Sequence, residues 1–438
     1  MIKALTLRDS EATGTNSNRF SRFLMVLLAV LVLGGTDDTI IAKYQAYLFF
    51  IITLYLFTKS LSSSNIVINS NRIKSMLPVG LFIVLQLFSF FYTLSFTLTI
   101  RFITFWLLFF AMLIIVINRR FSHNLISCIK WISVVLAISI ILSSIMKEDF
   151  VSVFSFWLLN KERVILDIYY GQYSGLVGDR AFAAIAMCTG LFAHIADLFA
   201  NKQNARSILL RIGCMLLLII AMMLTGKRIA LIMLLFPLLL TFMFFMNRKH
   251  RKRAILISVI VAVFVFLATQ YMPESKILIE RLMLSSDYSS VNGRLELWNA
   301  ALNMFFENPI LGQGLGSYNV YNYNQGTGQL QFAHNQYLQF LPEVGIVGSV
   351  VLVAIFIASL RTTLLALKEA KTSPDSQNKY IAVFSFMTQI SIFTYGLTGY
   401  PFYNLQQFYL YILTISFSIA VLGTNDSHTV IGRRGVLK

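Results

Sequence analysis

Runs of about twenty mostly apolar residues recur along this 438-residue chain from Phe20 to Gly423, and no other feature limits its fold so tightly. A helix of roughly 17–25 such residues crosses a hydrocarbon core about 30 Å thick. The runs lack the alternation of membrane β-strands, and unpaired backbone is not tolerated in lipid, so the spans must be helical. Twelve are legible, at 20–36, 40–58, 76–96, 100–118, 125–146, 181–200, 208–226, 228–247, 254–272, 346–366, 380–399 and 405–423. Only 13% of residues are charged, against about 25% in soluble domains, which agrees with a chain that lives in lipid. The expected fold is all-α and polytopic, one membrane domain over 1–438 with two long connections, 147–180 and 273–345.

An even number of spans puts both termini on one side. With that side inside, 24 of the 36 Lys and Arg residues fall on inner segments, as the positive-inside bias requires. The net charge of +17 is therefore scattered over loops rather than gathered on a surface for nucleic acid. The first apolar run has no small-residue cleavage pattern after it, so the first span is expected to be retained. Cys128, Cys188 and Cys214 lie within apolar runs with no CxxC pair, and read as small hydrophobes.

This orientation sends both long connections outward. The second contains a predicted helix capped by Ser290 or Asn292, with Glu296 in its first turn and an apolar face of Leu295, Trp298, Leu302 and Phe305, ended by Asn308-Pro309. That face would pack on the membrane domain or lie in the interface. NPILGQGLGSYN follows; its glycines mark turns, since no strand precedes GQGLG and no Lys-Ser/Thr follows to make a phosphate loop.

An enzyme facing outward has no ATP, so bond formation there must use an activated substrate carried by the membrane. A lipid-diphosphate sugar fits, and it calls for cations to hold the leaving group and a base for the incoming hydroxyl. His334, in FAHNQYLQFLPEVGIVGS, is the sole histidine on the outer segments and the candidate base, although spacing alone favours a histidine hydrogen-bonding at a helix entry, with Asn335 as the cap. Arg228, in LTGKRIAL, sits against the positive-inside bias, where it either snorkels to headgroups or grips a diphosphate with its planar fork. Arg294, in the first turn of the predicted helix, opposes the helix dipole. Arg163 and Arg180 are weaker candidates, Glu343 either orients His334 or holds a turn, and Asp37-Asp38 reads as a solvated turn. No metal site is legible, which favours metal-independent chemistry without a cofactor.

From His334 the chain reads His-Asn, nine residues, then Gly345-Ile-Val-Gly348, a pattern that resembles the O-antigen ligases. GRLELWNAALNMFFENPILGQGLGSY and LTGKRIAL are likewise similar to the O-antigen ligase and polymerase superfamily, the likeness covering about 175–350. The resemblance implies a C-type glycosyltransferase in the bacterial inner membrane, its active site facing the periplasm. It would be an inverting enzyme that takes a glycan from undecaprenyl diphosphate. In a ligase the acceptor is a sugar hydroxyl of the lipid A core; in a polymerase it is another lipid-linked repeat unit, with a chain-length regulator as a partner. Carried over, His334 would be catalytic, and Arg228, Arg294 and Arg180 would bind the diphosphate, with Asn335, Glu343, Gly345 and Gly348 in support. Asp179-Arg180 departs from the family pattern. Membrane lipids are the other expected partners, and nucleic acid is not. A transporter of lipid-linked sugar is the rival class, and would need ionisable groups buried in the spans. A scaffold without chemistry would tolerate loss of each of Arg228, Arg294 and His334.

Overall fold

The computed structural model describes residues 19–34, 36, 38–62, 70–115, 117–201, 204–245, 288–324 and 331–422. Helices stand at eleven of the twelve predicted spans; the run at 254–272 lies outside the described residues, as do Asp37 and the basic run 248–253. They are α1 (19–34), α2 (Ala42–Ser62), α3 (Ser70–Phe88), α4 (Phe96–Ile114), α5 (Arg119–Met146), α8 (Arg180–Ala200), α9 (Ala205–Leu224), α10 (Ile229–Phe245), α13 (Gln336–Thr372), α14 (Ser376–Tyr395) and α15 (Leu405–Leu422). Four more lie in the two long connections: α6 (Glu148–Val153), α7 (Lys161–Tyr169), α11 (Tyr288–Glu307) and α12 (Ser317–Asn322). Among the described residues, six helices are long and apolar enough to cross a membrane, and Met76–Phe91 and Ile229–Phe245 are shorter apolar ones. The protein is an all-α polytopic membrane protein, with no strand among the described residues beyond one isolated bridge, Thr39 to Leu158.

Short polar residues start these helices. Asn118 accepts from Phe121 N at 2.7 Å, Asp179 from Ala181 N at 2.6 Å, and Asn335 from Leu338 N at 3.2 Å. Each satisfies a backbone donor that the helix itself cannot. Helices α8, α14 and α15 form the buried centre, with α5, α9 and α10 on one flank and α3, α4 and α13 on the other. An aromatic spine fills the interior where α2 and α4 meet α15: Phe49 stacks on Tyr409 at 4.2 Å and Trp106 meets Phe408 at 5.0 Å.

Cys188 is buried against Met222 and Ala230, as a small hydrophobe should be, whereas Cys128 and Cys214 are only half-buried on their spans. A charged cluster lies where α5, α8 and α9 meet. Asp197 takes Lys130 Nζ at 2.7 Å and Arg211 Nη1 at 2.9 Å, and all three side chains are largely buried. The chain carries these groups inside a bundle whose other span centres are uncharged.

The second long connection differs from its sequence reading in three respects. Helix α11 already runs at Tyr288, so Ser290 and Asn292 lie within it rather than at its cap, and Glu296 and Arg294 are beyond its first turn. The dipole argument for Arg294 therefore lapses. Its buried residues are Leu297, Ala301 and Met304, while Leu295 and Leu302 are exposed. The face is chosen by its partners Tyr318, Tyr321 and Ala333, with which Ala301 and Met304 form a small separate core. Asn308-Pro309 does end it.

Candidate functional site

The connections at one end of the bundle, 36, 38–41, 147–179, 225–228, 331–335 and 396–404, converge with α11 and α12. Helix α13 begins there, and it is broken. Gly345 has φ +63° and ψ −172°, which interrupts the helix and leaves backbone groups on either side without helical partners. The ILGQG turn satisfies them: Ile346 N donates to Pro309 O at 2.9 Å, Gln313 N to Pro342 O at 3.0 Å, and Gly314 N to Glu343 O at 2.7 Å. A Cβ on Gly345 would strike the Ile310 carbonyl, and one on Gly312 would come to 2.5 Å of the Glu343 carbonyl. Gly345 and Gly312 are thus where backbone meets backbone.

Glu343 locks this junction. Its carboxylate is fully buried and accepts from Gly316 N at 2.8 Å, Tyr403 OH at 2.7 Å, Gln339 Nε2 at 3.1 Å and Tyr318 N at 3.3 Å. Of the two roles open in the sequence, holding the turn is the one the contacts support.

His334 precedes the capping Asn335 and has φ +51°, a left-handed conformation that costs a non-glycine residue energy. Its neighbours pin it: Trp298 Nε1 donates to Ala333 O at 3.0 Å, Ala333 N to Gln339 Oε1 at 3.0 Å, and Gln336 N to the carbonyls of Gly396 and Gly399, each at 3.0 Å. The imidazole lies 5.7 Å from the Tyr400 ring, and Phe332 stacks on Tyr400 at 4.1 Å. Burial lowers its pKa to about 4, and the charges of Arg294 and Lys227 push the same way. The ring is therefore neutral at pH 7 and within electrostatic reach of two cations from separate segments.

The first long connection supplies a second layer. Arg163 bridges Asp38 at 3.0 Å and Asp179 at 2.6 Å, and Arg180 Nε sits 3.4 Å from Asp167. Asp38 is buried and ion-paired, not part of a solvated turn, because Arg163 reaches it across the fold. Tyr173 N donates to Leu224 O at 2.9 Å, which ties this connection to the end of α9. There the turn through Gly226, φ +67°, packs on Gln172 and presents Lys227 to Arg180, Asp179 and Asp167. Burial, with Arg180 next, lowers Lys227 to about 8. Burial likewise raises Asp167. Asp167 Oδ2 and Gln172 Oε1 are buried with no protein partner, so this polar recess has unmet hydrogen-bonding capacity.

Of the arginines singled out in the sequence, Arg294 is exposed on α11 with its charge felt at His334, and Arg180 is held by Asp167. Arg228 is the exposed member of its pair, and Lys227 is the one turned toward the cluster. Sequence reasoning missed Lys227 because nothing in LTGKRIAL says which of two adjacent cations faces inward.

Fold and cluster define a polytopic helical membrane protein with a recess of basic residues and one neutral histidine at the end of its bundle. Residues 213–353, about a third of the chain, match the family model described as O-antigen ligase. The matched stretch includes Lys227, Arg228, Arg294, His334, Glu343 and Gly345. No curated protein matches the chain.

Proposed function

We propose that this protein is an O-antigen ligase-like glycosyltransferase of the bacterial inner membrane. It moves a glycan from undecaprenyl diphosphate to a sugar hydroxyl of the lipid A core. One observation carries the reading: His334, neutral and pinned in a left-handed conformation, shares one end of the bundle with Lys227 and Arg294. The excess of Lys and Arg on the opposite loops favours a periplasmic position for that end.

In this reading Lys227 and Arg294, with Arg228 and Arg180 beside them, hold the diphosphate of the donor. Each withdraws charge from the leaving group as the glycosidic bond breaks. His334 Nδ1 or Nε2 accepts the proton of the acceptor hydroxyl while that oxygen attacks the anomeric carbon from the opposite face, and the configuration inverts. No metal ion is needed where cations already neutralise the diphosphate. A bound diphosphate would raise the pKa of His334 from about 4, improving it as a base only when donor is present.

The test is turnover in proteoliposomes with a lipid-linked donor. Asn tolerates the left-handed backbone that Ala does not, so His334→Asn is the informative variant. A loss of about 10²–10⁴-fold is expected of a missing general base, and near-normal turnover would remove His334 from the mechanism. The acceptor is decided by the lipopolysaccharide of a deletion strain. A bare core band with lipid-linked polymer accumulating supports the ligase. Core bearing a single repeat unit would make the protein a polymerase.

A further inference from the structure

Between α2 and α4 lie two adjoining cavities of about 320 Å³ and about 280 Å³. They share Phe50, Thr104 and Leu108 as walls and so form one furrow between the helices. Each is near the lower end of the range of ligand pockets, about 300–1,000 Å³. The ends of the furrow differ in chemistry. One is apolar, walled by Phe57 and Ile114; the other carries Arg101, Gln45 and Asn404.

Gln45 donates to Leu31 O at 3.3 Å and Asn404 accepts from Gln406 N at 3.2 Å, so both are engaged. Arg101 is exposed within α4 and makes no ion pair among the described residues. A cation inside an apolar span is costly, and it marks either snorkelling to a headgroup or a site for an anion. The polar end also adjoins the recess described above. Asn404 closes the segment 400–404, whose Tyr400 lies against His334 and whose Tyr403 donates to Glu343.

We propose that this furrow seats the isoprenoid chain of the lipid-linked donor, with the Arg101 guanidinium on an oxygen of its diphosphate. This rests on the donor reading given above. An apolar trough with a cation at the end nearest the recess complements a lipid chain with an anionic head. The furrow leads the head of the donor toward segment 400–404 and hence toward His334.

The test uses the full-length protein in nanodiscs of phosphatidylethanolamine and phosphatidylglycerol. The probe is a polyprenyl diphosphate with a diazirine midway along its chain, and the crosslinked peptides are mapped by mass spectrometry. Crosslinks are expected on α2 and α4. Thr104→Trp, which places bulk in the furrow from an exposed position, should lower their yield by about tenfold. Leu54→Trp, also exposed, should act alike if the first variant folds poorly. Arg101→Gln should weaken capture by about tenfold, as loss of a charge-assisted contact does. Crosslinks on other helices, or displacement of the probe by added phosphatidylglycerol, would overturn the furrow assignment and leave the donor reading standing. No crosslink anywhere on the chain would overturn both.

Discussion

Glu343 Oε2 accepts the amide of Gly316 at 2.8 Å, so a carboxylate on the broken start of α13 holds the glycine-rich turn that follows α11. The same oxygen takes the Tyr403 hydroxyl, joining a third segment that reaches His334 through Tyr400. Glu343→Gln keeps the shape but sets an NH₂ where acceptors are needed. Because hydrogen bonds to a charged group contribute about 1.5–3 kcal/mol, the variant should unfold at a lower temperature and lose transfer activity. A thermal melt in detergent reads the first effect; an unchanged midpoint would mean the carboxylate is dispensable to the turn.

Gly345→Ala should be more damaging than its size implies. The residue has φ +63° and its missing Cβ faces the Ile310 carbonyl, so the substitution both strains the backbone and displaces the ILGQG turn. Gly213 on α9 is the control, with nothing within 4 Å of its absent Cβ. Gly213→Ala should raise stability by about 0.5–1 kcal/mol by favouring the helix. Expression level and melting midpoint of the pair should therefore move in opposite directions.

Hydropathy alone made much of this fold legible, since lipid forces a helix wherever an apolar run is long enough. Asn335 was legible as a cap too, because capping is a local matter. What escaped depended on partners distant in sequence. Helix α11 buries Leu297, Ala301 and Met304 instead of Leu295 and Leu302 because Tyr318 and Tyr321 lie on that side. Asp38 looked solvated until Arg163 was brought to it by a fold spanning more than a hundred residues.

Asp197→Ala should destabilise the opposite half of the bundle. It would leave Lys130 and Arg211 buried without their shared counter-ion, and breaking a buried pair from one side costs about 3–5 kcal/mol. Lys130→Met and Arg211→Met combined with Asp197→Leu should recover much of that loss, since an apolar set of similar volume carries no desolvation penalty. Melting midpoints of the single and triple variants check this.

His334 also sets a pH window for stability. Its folded pKa is lowered to about 4 from an ordinary 6.5, so between these values the unfolded chain binds the proton more readily. Its contribution is fully present above about pH 6.5 and is lost as pH falls toward 4. The melting midpoint of the wild type should fall across that window more steeply than that of His334→Asn. Parallel curves would show that the ring is not desolvated in the folded protein.

Lys227 should govern donor binding from the alkaline side. Burial lowers it to about 8, so it carries its charge at pH 7 and loses it as pH rises through 8. Donor affinity should weaken over that range in the wild type. Lys227→Arg stays charged to much higher pH and should keep its affinity, while Lys227→Met should bind weakly at every pH. Arg228 is exposed beside it, so Arg228→Met should shift affinity less than Lys227→Met. Equilibrium binding of a lipid diphosphate in nanodiscs between pH 6.5 and pH 9 measures all four proteins. If Arg228→Met proved the weaker binder and Lys227→Met followed the wild-type curve, the cation that holds the diphosphate would be the exposed one.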